Sequence, residues 1–452
     1  MAASFGLPLQ AKVIPALRRE LELEGLSLHT FSAGAVPEVE EGYTQYEEDV
    51  FIDDVHGKEL SGGEVASARA EEVDWVKKRG VVKIVPETDY EKDEHGDILD
   101  TRWVDTRKKS GLVRSRLVCR EIKARAKLAK AGGLAPEDVF SAMPPVESLD
   151  TLLAVWAAEG KDATGEDLRM GVWDVSRAHF YGKARRPIYI KLPPELHQPG
   201  KLGLLLKTMY GVRDASSVWL EAWNDHLRNN GFSVGRANPA LSHDGKRKGF
   251  CHGDDFCVLG SRKALLDFDA ILKKAFDVKC MGIIGYAEDQ KEVQVLNRTI
   301  RVVSDKGHVE LEPDSRLVKK ILDDYNLHGA KPVPTPRVKR PPEEYHDAET
   351  SSLLEGIEAT RYRSATMRAS YLAQDRIDIS ECVKTLSQHM AHPREGHVAG
   401  VKRLARYLID KQDYVLVFPL IGGGPRRLTI ECSTNSDWAG KEKIYERCGY
   451  QS

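Results

Sequence analysis

Asp174 closes an apolar run in MGVWDVSRAHF, and Asp254 and Asp255 stand together in KGFCHGDDFCVLGS between two apolar flanks. Adjacent carboxylates repel, so an Asp-Asp pair among apolar residues costs stability unless a cation neutralises it. A turn-forming Asp is the ordinary alternative at each position. If the strand ending in Asp174 lies beside the pair, three oxygen donors converge. That is a hard-ligand set for Mg²⁺, which keeps some waters and takes further ligands from phosphates. Two such ions, about 3.5–4 Å apart, would activate a hydroxyl and stabilise a leaving pyrophosphate in an in-line displacement. Spacing alone leaves both readings open, since a long chain commonly contains an Asp-Asp.

A polyphosphate ligand also needs cations. The net charge of −2 conceals an asymmetry: residues 1–75 hold 16 Asp/Glu against 5 Lys/Arg, whereas the window 101–130 holds 11 basic and 2 acidic residues. Each phosphate neutralised by such a patch releases counterions. A solvated basic face is the plain reading of a charge run. Arg114 and Arg116 stand apart because VRSRLVC alternates them with apolar residues on a strand pattern. The seven cysteines are scattered without a C-x-x-C pair, which indicates neither a disulfide framework nor a cysteine zinc site. His389, His392 and His397 cluster around Pro393, and read as covering helix ends rather than as metal ligands.

The elements that must position these groups follow from periodicity. Residues 64–80 read as a helix stopped by Gly80, and VVKIVP as a strand. Residues 102–104 and 113–119 flank a turn at RKKSG. Helices are expected over 149–160, 215–232, 263–276 and 315–327, and strands over 170–175, 187–195 and 293–303. The Asp-Asp segment 248–261 has the outline of a hairpin. Five prolines in 329–345 mark a linker. Helical patterns occupy 362–375, 378–391 and 396–410, with strands near 413–419 and 427–432. Strands and helices mix without βαβ regularity, which favours α+β. No run approaches the roughly 20 apolar residues of a spanning helix, and Met1–Leu9 lacks the features of a secretory signal. A cytoplasmic or nuclear setting without membrane insertion is therefore expected.

With those segments in place, MGVWDVSRAHFYG, RRPIYIKLPPE, KLGLLLKTMYGVRDASSVWLEAWNDHL and GFCHGDDFCVLG together resemble the copia-type reverse transcriptases of LTR-retrotransposon Pol polyproteins. The resemblance begins near Glu72, runs through WVDTRKKSGLVRSRLVCREIKA, EDVFSAMPPVESL and KPVPTP, resumes in YRSATMRASYLAQDRIDISECVKTLSQHM, and ends in DWAG. It implies a right-hand polymerase: fingers, palm and thumb over 71–328 after an acidic, poorly ordered leader at 1–70. A proline-rich linker (329–345), a helical connection (346–425) and the truncated start of an RNase H-like domain (426–452) would follow. The implied activity is RNA-directed DNA polymerisation with two Mg²⁺ ions (Mn²⁺ being an alternative), an RNA/DNA template-primer and dNTPs. By motif position Asp174 would be the first palm carboxylate and Asp254–Asp255 the pair of the Y-x-D-D box. Arg114 and Arg116 would meet the incoming triphosphate, His179 would stand near its sugar, and Asp214 would occupy a position near template and nucleotide.

The chain departs from that pattern at several positions. His252 and Gly253 replace the Tyr and following residue of the box, and His179 an aromatic. Asp214 puts a negative charge where the family has a neutral amide, which should repel phosphates. Asn297 stands where the family has a glycine, and the turn there requires Asn to adopt φ > 0. In TNSDWAG the first RNase H carboxylate is Asn435 and the second Asp437, and the sequence ends fifteen residues later. No RNase H activity is expected. The leading reading is an RNA-directed DNA polymerase domain. Its alternative is a catalytically inactive retroelement remnant that at most binds nucleic acid, and a metal-dependent nuclease using the same acids comes third.

Overall fold

The computed structural model describes residues 50–108, 110–121, 134–286, 288–338, 348–422 and 424. Contacts divide the chain into two compact units, residues 1–68 with 105–114, and residues 69–104 with 115–452. Residues 122–130 of the basic window, 339–345 of the linker, the strand expected at 427–432, and Asn435 and Asp437 lie outside the described residues.

In the smaller unit β1 (Phe51–Ile52) pairs antiparallel with β2 (Glu59–Leu60). The turn between them is built on Asp53, whose carboxylate accepts the backbone N–H groups of Val55 (2.8 Å), His56 (3.0 Å) and Arg107 (3.0 Å). Burial alone would raise that carboxyl's pKa. The hydrogen bonds from Arg107 and the His56 ring, with those of the local backbone, hold it well below the usual range instead. Of the leader expected over 1–70, residues 50–70 are described; there Asp53 and Asp54 accept backbone N–H groups.

Helix α1 (Gly62–Lys78) leads to β3 (Val82–Pro86), α2 (Glu87–Lys92), β4 (Asp97–Leu99) and the paired strands β5 (Thr101–Arg107) and β6 (Val113–Cys119). After α3 (Pro136–Val139) and α4 (Ser148–Glu159) come β7 (Leu168–Val175), β8 (Ile188–Ile190), β9 (Lys201–Leu205) and α5 (Ala215–Asn229). Strands β3, β9, β8 and β4 form one four-stranded sheet in that order, with β4 parallel to β8 and the other pairs antiparallel.

The central sheet has six antiparallel strands, ordered β10 (Ser233–Val234), β11 (Leu241–His243), β12 (Lys248–His252), β13 (Asp255–Ser261), β7 and β14 (Val278–Ile284). Because side chains alternate across a strand, β7 serves two cores. Leu168, Met170 and Val172 pack with Leu153 and Trp156 of α4, while Trp173 and Val175 join Trp219 and Trp223 of α5 and Leu265 and Phe268 of α6 (Arg262–Lys273). A strand clad on both faces is held rigidly, as a site on its end requires.

The segment expected as one strand at 293–303 is a hairpin, β15 (Glu292–Val295) against β16 (Arg298–Val303). Its two-residue turn puts both Leu296 (φ 50°) and Asn297 (φ 67°) in the left-handed region, the pattern of a type I′ turn. Asn supplies one such residue at low cost, while Leu does not. Strand β17 (His308–Glu312) extends the sheet. The chain then enters a bundle of α7 (Ser315–Asp324), α8 (Gly356–Leu372), α9 (Ile377–Ser387) and α10 (Glu395–Leu408), which buries Ile321, Tyr362, Ala365, Ile379 and Leu404 together. It returns as β18 (Leu416–Pro419), the direct neighbour of β17. The architecture is α+β.

Candidate active site

Strand register sets the first pair of acids. Asp174 is the partner of Asp255 across β7 and β13, and His252 is the partner of Asp255 across β12 and β13. Gly253 and Asp254 are therefore the whole of a two-residue hairpin turn. Of these two only Gly253 has a positive φ (67°), which matches a type II′ turn with glycine at its first central position. The glycine that departs from the Y-x-D-D box thus suits the conformation its position demands.

The turn is held from both sides. Val175 N–H donates to the Asp254 carbonyl (3.0 Å), and the Trp219 indole of α5 donates to the Gly253 carbonyl (2.7 Å). One carboxylate oxygen from each of Asp174, Asp254 and Asp255 lies within 4.8 Å of the others, and all three residues are half-buried. Burial, then the charges of Asp254 and Asp174, push the Asp255 carboxyl up to about 6. Three hard oxygen donors whose mutual repulsion is already costly fit a divalent cation, which removes that repulsion on binding.

Asp254 also borders a cavity of about 290 Å³, lined by His179, Tyr210, Trp219, Gly253 and the loop residues Ser141 and Met143. His179 follows β7 on a single 3₁₀ turn, Ala178–Tyr181, and packs edge-on to Tyr210 at 5.1 Å. Burial lowers its pKa against the opposing pull of a hydrogen bond to the Ala215 backbone and the Asp254 charge. Its Nδ1 is buried without a hydrogen-bond partner. The Arg116 guanidinium lies over the Tyr210 ring, 5.0 Å from its centroid. Tyr210 is fixed by its carbonyl, which accepts Cys119 N–H from the end of β6 (2.7 Å). This close approach is possible because the next residue is Gly211, at φ 83°, where a Cβ would stand 2.0 Å from the Cys119 carbonyl oxygen.

Arg114 is half-buried on β6 and belongs to the smaller unit. Asp214, which precedes α5, does not line the cavity. Its side chain is buried and neither carboxylate oxygen has a hydrogen-bond partner. Trp219, Tyr210 and the 141–143 loop are site neighbours that the sequence reading did not assign. Trp219 read as core, and it is buried in one while also lining the cavity.

A second group of donors, Glu349, His389 and His397, also lies within 4.8 Å. It is ill-suited to a metal. The His397 Nδ1 accepts the Arg394 backbone N–H (3.2 Å) as part of the cap of α10, so the proton of a neutral ring sits on Nε2, the nitrogen that faces Glu349 at 3.8 Å. A metal-bound histidine has the reverse arrangement, with its second N–H donating. The two imidazoles are stacked, centroids 3.8 Å apart, instead of converging edge-on upon one ion.

A family model described as "Reverse transcriptase (RNA-dependent DNA polymerase)" matches residues 90–339. Among curated proteins, the "Retrovirus-related Pol polyprotein from transposon TNT 1-94" of Nicotiana tabacum is 24% identical over 394 residues, covering 83% of this chain and 27% of that protein. The corresponding polyprotein from transposon RE1 of Arabidopsis thaliana is 26% identical over 368 residues, covering 78% of this chain and 23% of that protein. The chain thus spans about a quarter of these relatives' length. Among solved structures, a foamy viral protease-reverse transcriptase in complex with double-stranded DNA aligns with a TM-score of 0.40 at 15% identity, over 76% of this chain and 48% of that one.

Proposed function

This chain belongs to the reverse transcriptase (RNA-dependent DNA polymerase) family, and from that premise we propose that it is the polymerase domain of a retrotransposon Pol polyprotein. It adds dNTPs to a primer on an RNA or DNA template, with residues 71–328 as the polymerase body and 346–425 as the connection. The observation that carries the reading is the meeting of Asp174, Asp254 and Asp255 at the end of a doubly packed strand pair.

Asp174, Asp254 and Asp255 are the residues that would hold Mg²⁺ or Mn²⁺. Divalent ions bound there supply Lewis-acid activation of the primer hydroxyl and stabilise charge on the leaving pyrophosphate. The chain's own part is positional. The Trp219 and Val175 hydrogen bonds keep the turn from shifting as charge changes. In this reading His179, which lines the cavity against Tyr210, would meet the sugar, and Arg116, braced on Tyr210, would supply positive charge for the triphosphate.

Primer extension on poly(rA)·oligo(dT) with Mg²⁺ tests the proposal. Incorporation that Asp254→Asn abolishes supports it. Template-primer binding in a gel shift without incorporation supports instead an inactive remnant. Asp214 favours that second reading, because a buried carboxylate without hydrogen-bond partners is a cost with no catalytic return.

A further inference from the structure

Three residues after Asp174 the backbone does something unusual for its sequence. Arg177 adopts φ 51° and ψ 50°, a left-handed conformation that disfavours any residue with a Cβ. The chain on either side is pinned. Val175 N–H and Ser176 N–H donate to the Asp254 and Asp277 carbonyls, and the Arg177 carbonyl accepts Phe180 N–H to open the turn that carries His179. The side chain explains why the conformation persists. Arg177 Nε donates to Glu72 Oε2 (2.5 Å) and an Arg177 terminal nitrogen to Glu71 Oε1 (3.0 Å). Its guanidinium also stacks over the Trp75 ring, 4.5 Å from the centroid. Glu72 is 1% exposed, so this is a charge pair withdrawn from water, the kind whose breaking is expensive.

We infer that Arg177 is a positioning residue of the proposed nucleotide site. Its grip on Glu72, Glu71 and Trp75 holds residue 177 in the left-handed conformation that joins β7 to the 3₁₀ turn, and thereby sets His179 against Tyr210 at the cavity wall. The inference rests on the polymerase reading for its consequence, although its geometry stands alone. A pair that served stability alone would need neither a strained backbone nor a location between two residues of the site.

The test uses the full chain and three variants. Arg177→Gly accepts the left-handed turn but deletes the grip, Arg177→Lys keeps a cation without the planar fork, and Glu72→Gln keeps the hydrogen-bond acceptor without its charge. The first readout is the His179 imidazole signal in histidine-selective ¹³C NMR, assigned with His179→Gln. Arg177→Gly is expected to shift that signal and move its titration midpoint up toward the ordinary histidine value, with Arg177→Lys and Glu72→Gln intermediate. The second is primer extension, in which the nucleotide KM of Arg177→Gly should rise by roughly tenfold or more with a smaller change in kcat. An unmoved His179 signal in folded variants overturns the inference, as does a nucleotide KM within about twofold of the parent. If Arg177→Gly fails to fold, the two milder variants decide. A parent protein that incorporates no nucleotide refutes the polymerase reading, and the imidazole readout then still decides the positioning role.

Discussion

Asp174 and Asp255 face each other directly across two hydrogen-bonded strands. Like charges in that arrangement oppose the pairing that brings them together. The sheet tolerates them because Trp173, Val175, Phe256 and Cys257, their neighbours along the two strands, are fully packed.

The first consequence concerns pH and metal. With a folded-state pKa of about 6 against an ordinary 3.8, Asp255 is protonated in both states in strong acid. As pH rises toward 6 the unfolded chain releases the proton first. The group's favourable contribution is therefore complete below about pH 4 and lost as pH passes 6. In metal-free protein this loss should be on the order of 1–2 kcal/mol after allowing for its partial exposure. Urea unfolding at pH 4 and pH 7.5 measures it, and Asp255→Asn should flatten the difference. Mn²⁺ titration followed by EPR should show affinity rising through the same interval.

Two glycines offer a controlled comparison. Gly253→Ala meets open space and suffers only its positive φ, a cost of about 1–2 kcal/mol. Gly211→Ala has the same backbone cost plus a Cβ driven onto the Cys119 carbonyl. Thermal unfolding should rank Gly211→Ala as clearly the more damaging of the two. Equal losses would contradict the tie between β6 and Tyr210.

Leu296 invites a stabilising change. It occupies the first left-handed position of the β15–β16 turn, where Asn or Gly is preferred. Leu296→Asn should raise stability by about 0.5–1 kcal/mol, read as a higher urea midpoint at unchanged slope.

Arg298 of β16 donates to the buried Asp375 carboxylate (2.7 Å). Nearby, Asp150 on α4 is pushed up to about 6, by burial first and then by the Asp375 charge. Arg298→Met leaves Asp375 buried without its partner and should cost about 3 kcal/mol or more. Most of that loss should disappear in the Arg298→Met/Asp375→Leu double variant.

Much of this was legible in the chain. The hairpin around Gly253, the strand ending at Asp174 and the helix carrying Trp219 all have strong local signals of alternation, glycine placement or helical spacing. Periodicity alone hid the turn at Leu296–Asn297, because no glycine announces it and VQVLNRTIRVV reads as one strand. The resemblance implied a turn at Asn297, whose φ of 67° is positive as expected, and the other left-handed residue, Leu296, had no signal. Residues 50–60 were hidden by their acidity. Asp53 looks like part of a solvated run until the N–H groups it serves are seen. Non-local relationships such as Glu72 with Arg177, or β18 with β17, have no local signature, since side-chain and strand pairing at long separation leaves no period to count.

The return of β18 to the side of β17 has a mechanical meaning. Polypeptide enters and leaves the helical bundle through adjacent strands, about one strand spacing apart. The bundle is tethered at two neighbouring points, like a door on paired pins. Beyond these two covalent points, the Arg298–Asp375 ion pair ties the junction of α8 and α9 to β16, so freeing the bundle from the sheet takes two chain breaks and the loss of that pair.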